Sequence, residues 1–180
     1  MQEPTAGANA AGDPFGPGGR ALLRVCKVAA ITGGLVFVVL VVMSIISIVG
    51  RKLASAPIPG DFELMQMGSA IGASAFFAYC HLNHGDVKVD FFTQHWREAG
   101  VRTLDAIGSL LVGLFGALIA WRTAAGAWTV FDAGETSAIL GWPIWITQAL
   151  MVPGFALLGA AGFYMAWHQV NRVLQRRDRA

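Results

Sequence analysis

The chain has 180 residues, 55% of them hydrophobic and only 13% charged, with a formal net charge of +2. A soluble domain carries about 25% charged residues, so this composition argues against a soluble enzyme or a nucleic-acid binder and puts the bilayer first. The sequence pI near 8.8 follows from where the lysines and arginines are gathered, and it requires no nucleic acid.

Met1–Gly19 is rich in Gly, Ala and Pro and poor in large apolar residues. Such a segment buries too little apolar surface to fold, and a disordered cytoplasmic tail is expected over residues 1–24. A spanning helix needs about 20 apolar residues, and four runs meet that length: about 28–49, 62–82, 104–130 and 143–167. The first holds only Thr32, Ser44 and Ser47 as polar members. It is longer than the roughly 7–15 residues of a secretory h-region. Arg51 and Lys52 also separate it from the Ala54-Ser55-Ala56 that mimics a cleavage site. An uncleaved anchor is expected.

The turn Pro57-Ile58-Pro59-Gly60-Asp61-Phe62-Glu63-Leu64 follows. Its prolines and Gly60 suit a tight return. Asp61 and Glu63 enter the second run where a helix dipole favours negative charge, and Arg51 is expected to pair with Glu63. The second run is softer, holding Glu63, Gln66, Ser69, Ser74 and His81, and contains the Gly68-x-x-x-Gly72 spacing. Small residues one turn apart let helices approach closely in a bilayer. Gly108, Gly113 and Gly116 in the third run and Gly154, Gly159 and Gly162 in the fourth repeat the theme. The spacing alone leaves open whether these faces meet one another or a second protein.

Between the second and third runs, the stretch around Asp86–Trp96 predicts a short interfacial segment, with Asp90 capping or pairing with Arg97 or Arg102. Arg122 interrupts the third run, within reach of Asp132 or Glu135. Trp128, Trp142 and Trp145 suit an interfacial aromatic belt. Residues 171–180 form a basic tail. Arg20, Arg24, Lys27, Lys88, Arg97, Arg102, Arg172, Arg176, Arg177 and Arg179 share one side if there are four spans, against Arg51 and Lys52 on the other. The excess of positive charge places both termini in the cytoplasm. The expected fold is an all-α integral membrane protein, a four-helix bundle over residues 25–170. Cys26 and Cys80 then lie at the cytoplasmic ends of their helices, where a disulfide is not expected.

Several chemistries can be weighed against these residues. A complete transporter shows mid-membrane ionisable groups or paired broken helices. Here Gln66, Arg122, Gln148 and Pro153-Gly154 are the best candidates, without a carboxylate among them or an internal repeat. His81 and His168, ending the second and fourth runs, leave open a bis-His haem site in an electron-transfer subunit. Cys80, His81 and His84 lack a fourth ligand for zinc. No nucleotide loop or hydrolytic motif is present. By elimination, no enzyme, metal or cofactor is expected, and the chain works through a partner.

Arg51, Pro59-Gly60 and Glu63 resemble the first outer loop of the small membrane subunit of tripartite ATP-independent periplasmic (TRAP) transporters. Asp86-Val87-Lys88-Val89-Asp90 is similar to that family's H-V-x-V-D signature, with Asp86 where His is more usual. Gly134-Glu135-Thr136-Ser137, followed by Leu140, Pro143 and Trp145, resembles its approach to the fourth helix, and Pro153-Gly154 its mid-helix kink. The likeness covers roughly residues 25–170. It implies a small permease subunit in a bacterial inner membrane, bracing a large membrane subunit. That partner would carry out sodium-coupled uptake of an organic acid delivered by a periplasmic binding protein. The residues marked for the partner interface or the scaffold are Arg51, Pro59, Gly60, Glu63, Gly68, Gly72, Asp90, Arg122 and Glu135.

Overall fold

The computed structural model describes residues 17–55, 58–83 and 98–177, and among them the chain is all helix apart from its connections. There are four helices: α1 Pro17–Ala54, α2 Asp61–Leu82, α3 Glu98–Ala133 and α4 Ile144–Arg177. Proline suits the first position of a helix, because its missing N–H has no intrahelical partner there. Pro17 opens α1 in this way, inside the segment 1–24 expected to be disordered. That expectation is therefore corrected for residues 17–24, which are helical. α1 closes with Arg51 and Lys52 in its last turn, where positive charge offsets the dipole. Ser55 follows in the left-handed region at φ 51°.

α3 ends in a Schellman motif. Gly134 takes φ +63°, its N–H bonds Phe131 O at 3.1 Å, and Glu135 N–H reaches back to Val130 O at 3.3 Å. These bonds occupy carbonyls that the helix end would otherwise leave bare. α4 runs through Pro153 without a break.

Three helical stretches are long and apolar enough to cross a membrane: Gly18–Leu53, Leu104–Ala133 and Ile144–Asn171. α2 does not reach that apolarity among the described residues. Its packing nevertheless sets it beside α1 along the apolar part of that helix. A Cβ on Gly33 of α1 would lie 2.8 Å from the Gly72 carbonyl oxygen, and one on Gly68 the same distance from Leu40 Cδ2. Phe37 and Phe76 face each other at 5.9 Å. The two helices run antiparallel.

α2 then packs parallel to α4. A Cβ on Gly154 would sit 2.6 Å from the Ser74 carbonyl, and Phe77 stacks on Phe155 at 6.2 Å. α4 packs antiparallel to α3 at similarly close range. Cβ atoms on Gly113 and Gly116 would come 2.9 Å from Phe163 N and 2.7 Å from Gly159 N.

The lateral order is therefore α1, α2, α4, α3. α1 touches α4 only locally, and α3 packs on neither α1 nor α2 among the described residues. The expected four-helix bundle takes the form of an open row. The physical reason is that α2 and α4 each carry two small-residue faces: Gly68 and Gly72 meet α1, Ser74 meets α4, and Gly159 and Gly162 meet α3. α1 and α3 have one such face each and form the edges. Their other sides are apolar and exposed, with Val38, Val42 and Ile45 on α1 and Leu111, Leu114 and Phe115 on α3 at least half accessible. Where α1 reaches α4, at the end of the row holding the termini, Cys26, Ala78, Leu82, Ala161 and Met165 form a buried core.

Candidate functional site

The polar chemistry gathers at the opposite end, where the α1–α2 turn meets the α3–α4 connection. Ile58–Asp61 is a β-turn closed by Asp61 N–H to Ile58 O at 3.3 Å. Pro59 takes the second position, and Gly60 the third with φ 72° and ψ 17°. This is the geometry of a type II turn, which needs positive φ at its third residue. Gly60 is fixed a second way, since a Cβ there would strike the Leu140 side chain.

Two carboxylates two residues apart hold two different neighbours. Asp61 Oδ2 accepts from the buried Ser47 hydroxyl at 2.6 Å and from Arg51 Nη2 at 3.2 Å, while Oδ1 accepts from Phe62 N–H at 2.8 Å. The Ser47 bond does most to hold the Asp61 carboxyl below its ordinary value. Partial burial opposes the shift, and Phe62 N–H and the Arg51 charge add to it. Glu63 turns the other way. Its carboxylate accepts from Ser137 Oγ at 2.8 Å, Ile139 N–H at 3.0 Å and Leu140 N–H at 3.2 Å. The 134–143 connection is itself tightly folded, with Ser137 N–H to Trp142 O at 2.8 Å and Gly141 N–H to Ser137 O at 3.1 Å. Arg51 and Asp61 thus fasten α1 to α2, and Glu63 fastens α2 to the connection between α3 and α4.

The expected Arg51–Glu63 pair is corrected: Arg51 binds Asp61. Successive helical residues are rotated by about 100°, so residues 61 and 63 face nearly opposite directions and only one of them can look at α1. Pro59 and Gly60 form the turn as expected. Gly68 and Gly72 are occupied by Leu40, Phe37 and Gly33 of the same chain. The exposed Glu135 contributes backbone only, accepting Ile144 N–H at 3.3 Å. Arg122 is exposed on α3 and makes no ion pair with Asp132 or Glu135. Asp90, with Asp86, His84 and the interfacial segment around them, lies outside the described residues.

His81 is buried near the end of α2, and His168 on α4 stacks on Tyr164 at 6.2 Å, so both lie toward the end of the row that holds the termini. Among the described residues no three His, Cys, Asp or Glu side chains gather to hold a metal. Ser47 and Ser137 were not singled out from sequence. Ser47 precedes Arg51 by one helical turn, a spacing that aims both at one carboxylate. Ser137 stood in the Gly134–Ser137 motif, where Glu135 drew attention instead.

A chain of long, close-packed apolar helices with exposed apolar edges is a multi-pass membrane protein. The family model described as tripartite ATP-independent periplasmic transporters, DctQ component, matches residues 40–172. The chain belongs to that family, the small permease subunits of TRAP transporters, which are transport components and not enzymes. No curated protein and no solved structure matches it.

Proposed function

We propose that the chain is the scaffold-bracing small subunit of a sodium-coupled organic-acid importer in a bacterial inner membrane. It serves a large membrane subunit supplied by a periplasmic binding protein. Four spans cross the membrane with both termini cytoplasmic, α2 being carried alongside α1 despite its polar residues. The fastened corner then lies on the periplasmic side, where Asp61, Glu63 and their connections hold a rigid surface for the binding protein.

The observation that carries this reading is the use of small residues. The glycine faces of α2, α3 and α4 are filled from within the chain, leaving a stiff open row with two apolar edges to offer. Arg122 favours the α3 edge as the face toward the large subunit. It is exposed within the apolar stretch Leu104–Ala133, and a cation inside a spanning helix is costly when it faces lipid. A partner's carboxylate or a hydrated contact relieves that cost.

The test is purification of the tagged chain from its native membrane in a mild, lipid-preserving detergent, with the co-purifying proteins identified by mass. A strongly hydrophobic partner in near-equal amount is expected. A chain that purifies alone overturns the reading.

A further inference from the structure

The outward side of the α1–α2 pair, at the end that holds the termini, carries a groove of about 550 Å³ lined by Lys27, Ala30, Ile31, Phe76, Tyr79, Cys80 and Asn83. We propose that this groove is a binding site for one anionic phospholipid. Its acyl chain would lie between α1 and α2, and its headgroup phosphate on Lys27.

Small, buried Ala30 lines the groove together with the larger Ile31 and Phe76. Its apolar floor runs along α1 and α2 into the segment where both are apolar, which suits hydrocarbon. Its polar groups are confined to one rim. Asn83 sits there with its carboxamide nitrogen donating to Tyr79 O at 2.8 Å, which holds the side chain against the end of α2. Among the described residues Lys27 is the only charged group in the lining.

Charge selects the ligand. Arg20, Arg24 and Lys27 are all exposed, and their spacing of four and three residues puts them on one stripe of α1. That stripe continues, four residues on, into Ile31 on the groove floor. A molecule that follows it meets cations first and hydrocarbon next, the order of an anionic phospholipid. A zwitterionic lipid would gain the floor but not the stripe. Juxtamembrane cations attract anionic lipid by an amount equal to roughly a fivefold change in affinity for each Lys or Arg.

The site needs no large subunit and rests on the proposed function only in placing α2 within the membrane, so its test can fail while the partner reading holds. Cys80 lines the groove and is exposed, whereas Cys26 is buried, so Cys80 reports occupancy. The full-length chain, with any partner that co-purifies, is placed in nanodiscs of phosphatidylcholine alone or with about one fifth phosphatidylglycerol. Alkylation of Cys80 by a small maleimide is followed by peptide mass. Phosphatidylglycerol is expected to slow alkylation about fivefold or more, Lys27→Gln to abolish most of that protection, and Lys27→Arg to keep it. Lys52→Gln, at the far end of α1, should leave it intact. Equal rates in the two lipids overturn the proposal. So does protection that survives Lys27→Gln, which would mark a general surface-charge effect on the thiol or a protein partner covering the groove.

Discussion

The close backbone contact between α3 and α4 gives a prediction with an internal control on the same helix. A Cβ on Gly116 would lie 2.7 Å from Gly159 N, 3.0 Å from its Cα and 3.1 Å from Leu158 C, all backbone atoms that no rotamer change can move. Ordinary contact begins at 3.4 Å, so Gly116→Ala must push the helices apart locally by about 0.7 Å, the difference between those two distances. Overpacking costs about 1–3 kcal/mol, and the better helix propensity of alanine returns up to about 1 kcal/mol. The net loss should be about 1 kcal/mol, which for a chain of this size lowers Tm by about 2–4 °C. Gly108 lies two turns away with nothing within 4 Å of its would-be Cβ, so Gly108→Ala keeps only the gain and should hold or raise Tm. Thermal unfolding of both variants in one detergent, followed by loss of the monodisperse peak, measures the difference. Equal losses at the two positions, or no loss at Gly116, would refute the packing argument.

The Asp61 carboxyl titrates below its ordinary value, so its contribution to stability is complete above about pH 5 and fades as pH falls through the lowered pKa. Asp61→Asn should therefore flatten the stability profile between about pH 5 and pH 3, a change visible in midpoint temperatures across that range. Glu63→Ala removes the acceptor for Ser137, Ile139 and Leu140, and limited chymotrypsin cleavage after Leu140 should speed up severalfold while helical content stays constant. Glu63→Gln, which keeps one carbonyl oxygen, should fall between the two. Arg122→Ala should reduce recovery of the large partner, with Arg122→Lys retaining part of it. Quantitative mass analysis of the purified complex checks both variants.

Much of the fold can be read from the sequence because bilayer thickness imposes a length that α1, α3 and α4 meet openly. α2 was recognisable as a helix of spanning length, but Glu63, Gln66 and Ser69 dilute its apolarity. What places it beside α1 is the Gly33–Gly72 approach, a contact between residues far apart in the chain. The open row was not legible for the same reason. Glycine spacing shows that α2 and α4 have faces suited to close approach, yet not which face meets which helix. At the corner the residues were visible and their pairing was not. Arg51 had two carboxylates two positions apart, and the choice of Asp61 depends on how α2 is rotated once Ser74 is seated on Gly154. Ser137 carries no charge, so only the folded connection reveals that its hydroxyl faces Glu63.

In the proposed role this chain supports transport without forming the pathway. The most direct test of that role is sodium-driven organic-acid uptake, with the cognate binding protein outside, in proteoliposomes holding this chain alone, the large subunit alone, or both. Uptake only when both are present is expected, with Arg122→Ala lowering it in step with the loss of complex. Uptake by this chain alone, or by the large subunit at full rate without it, would contradict the account.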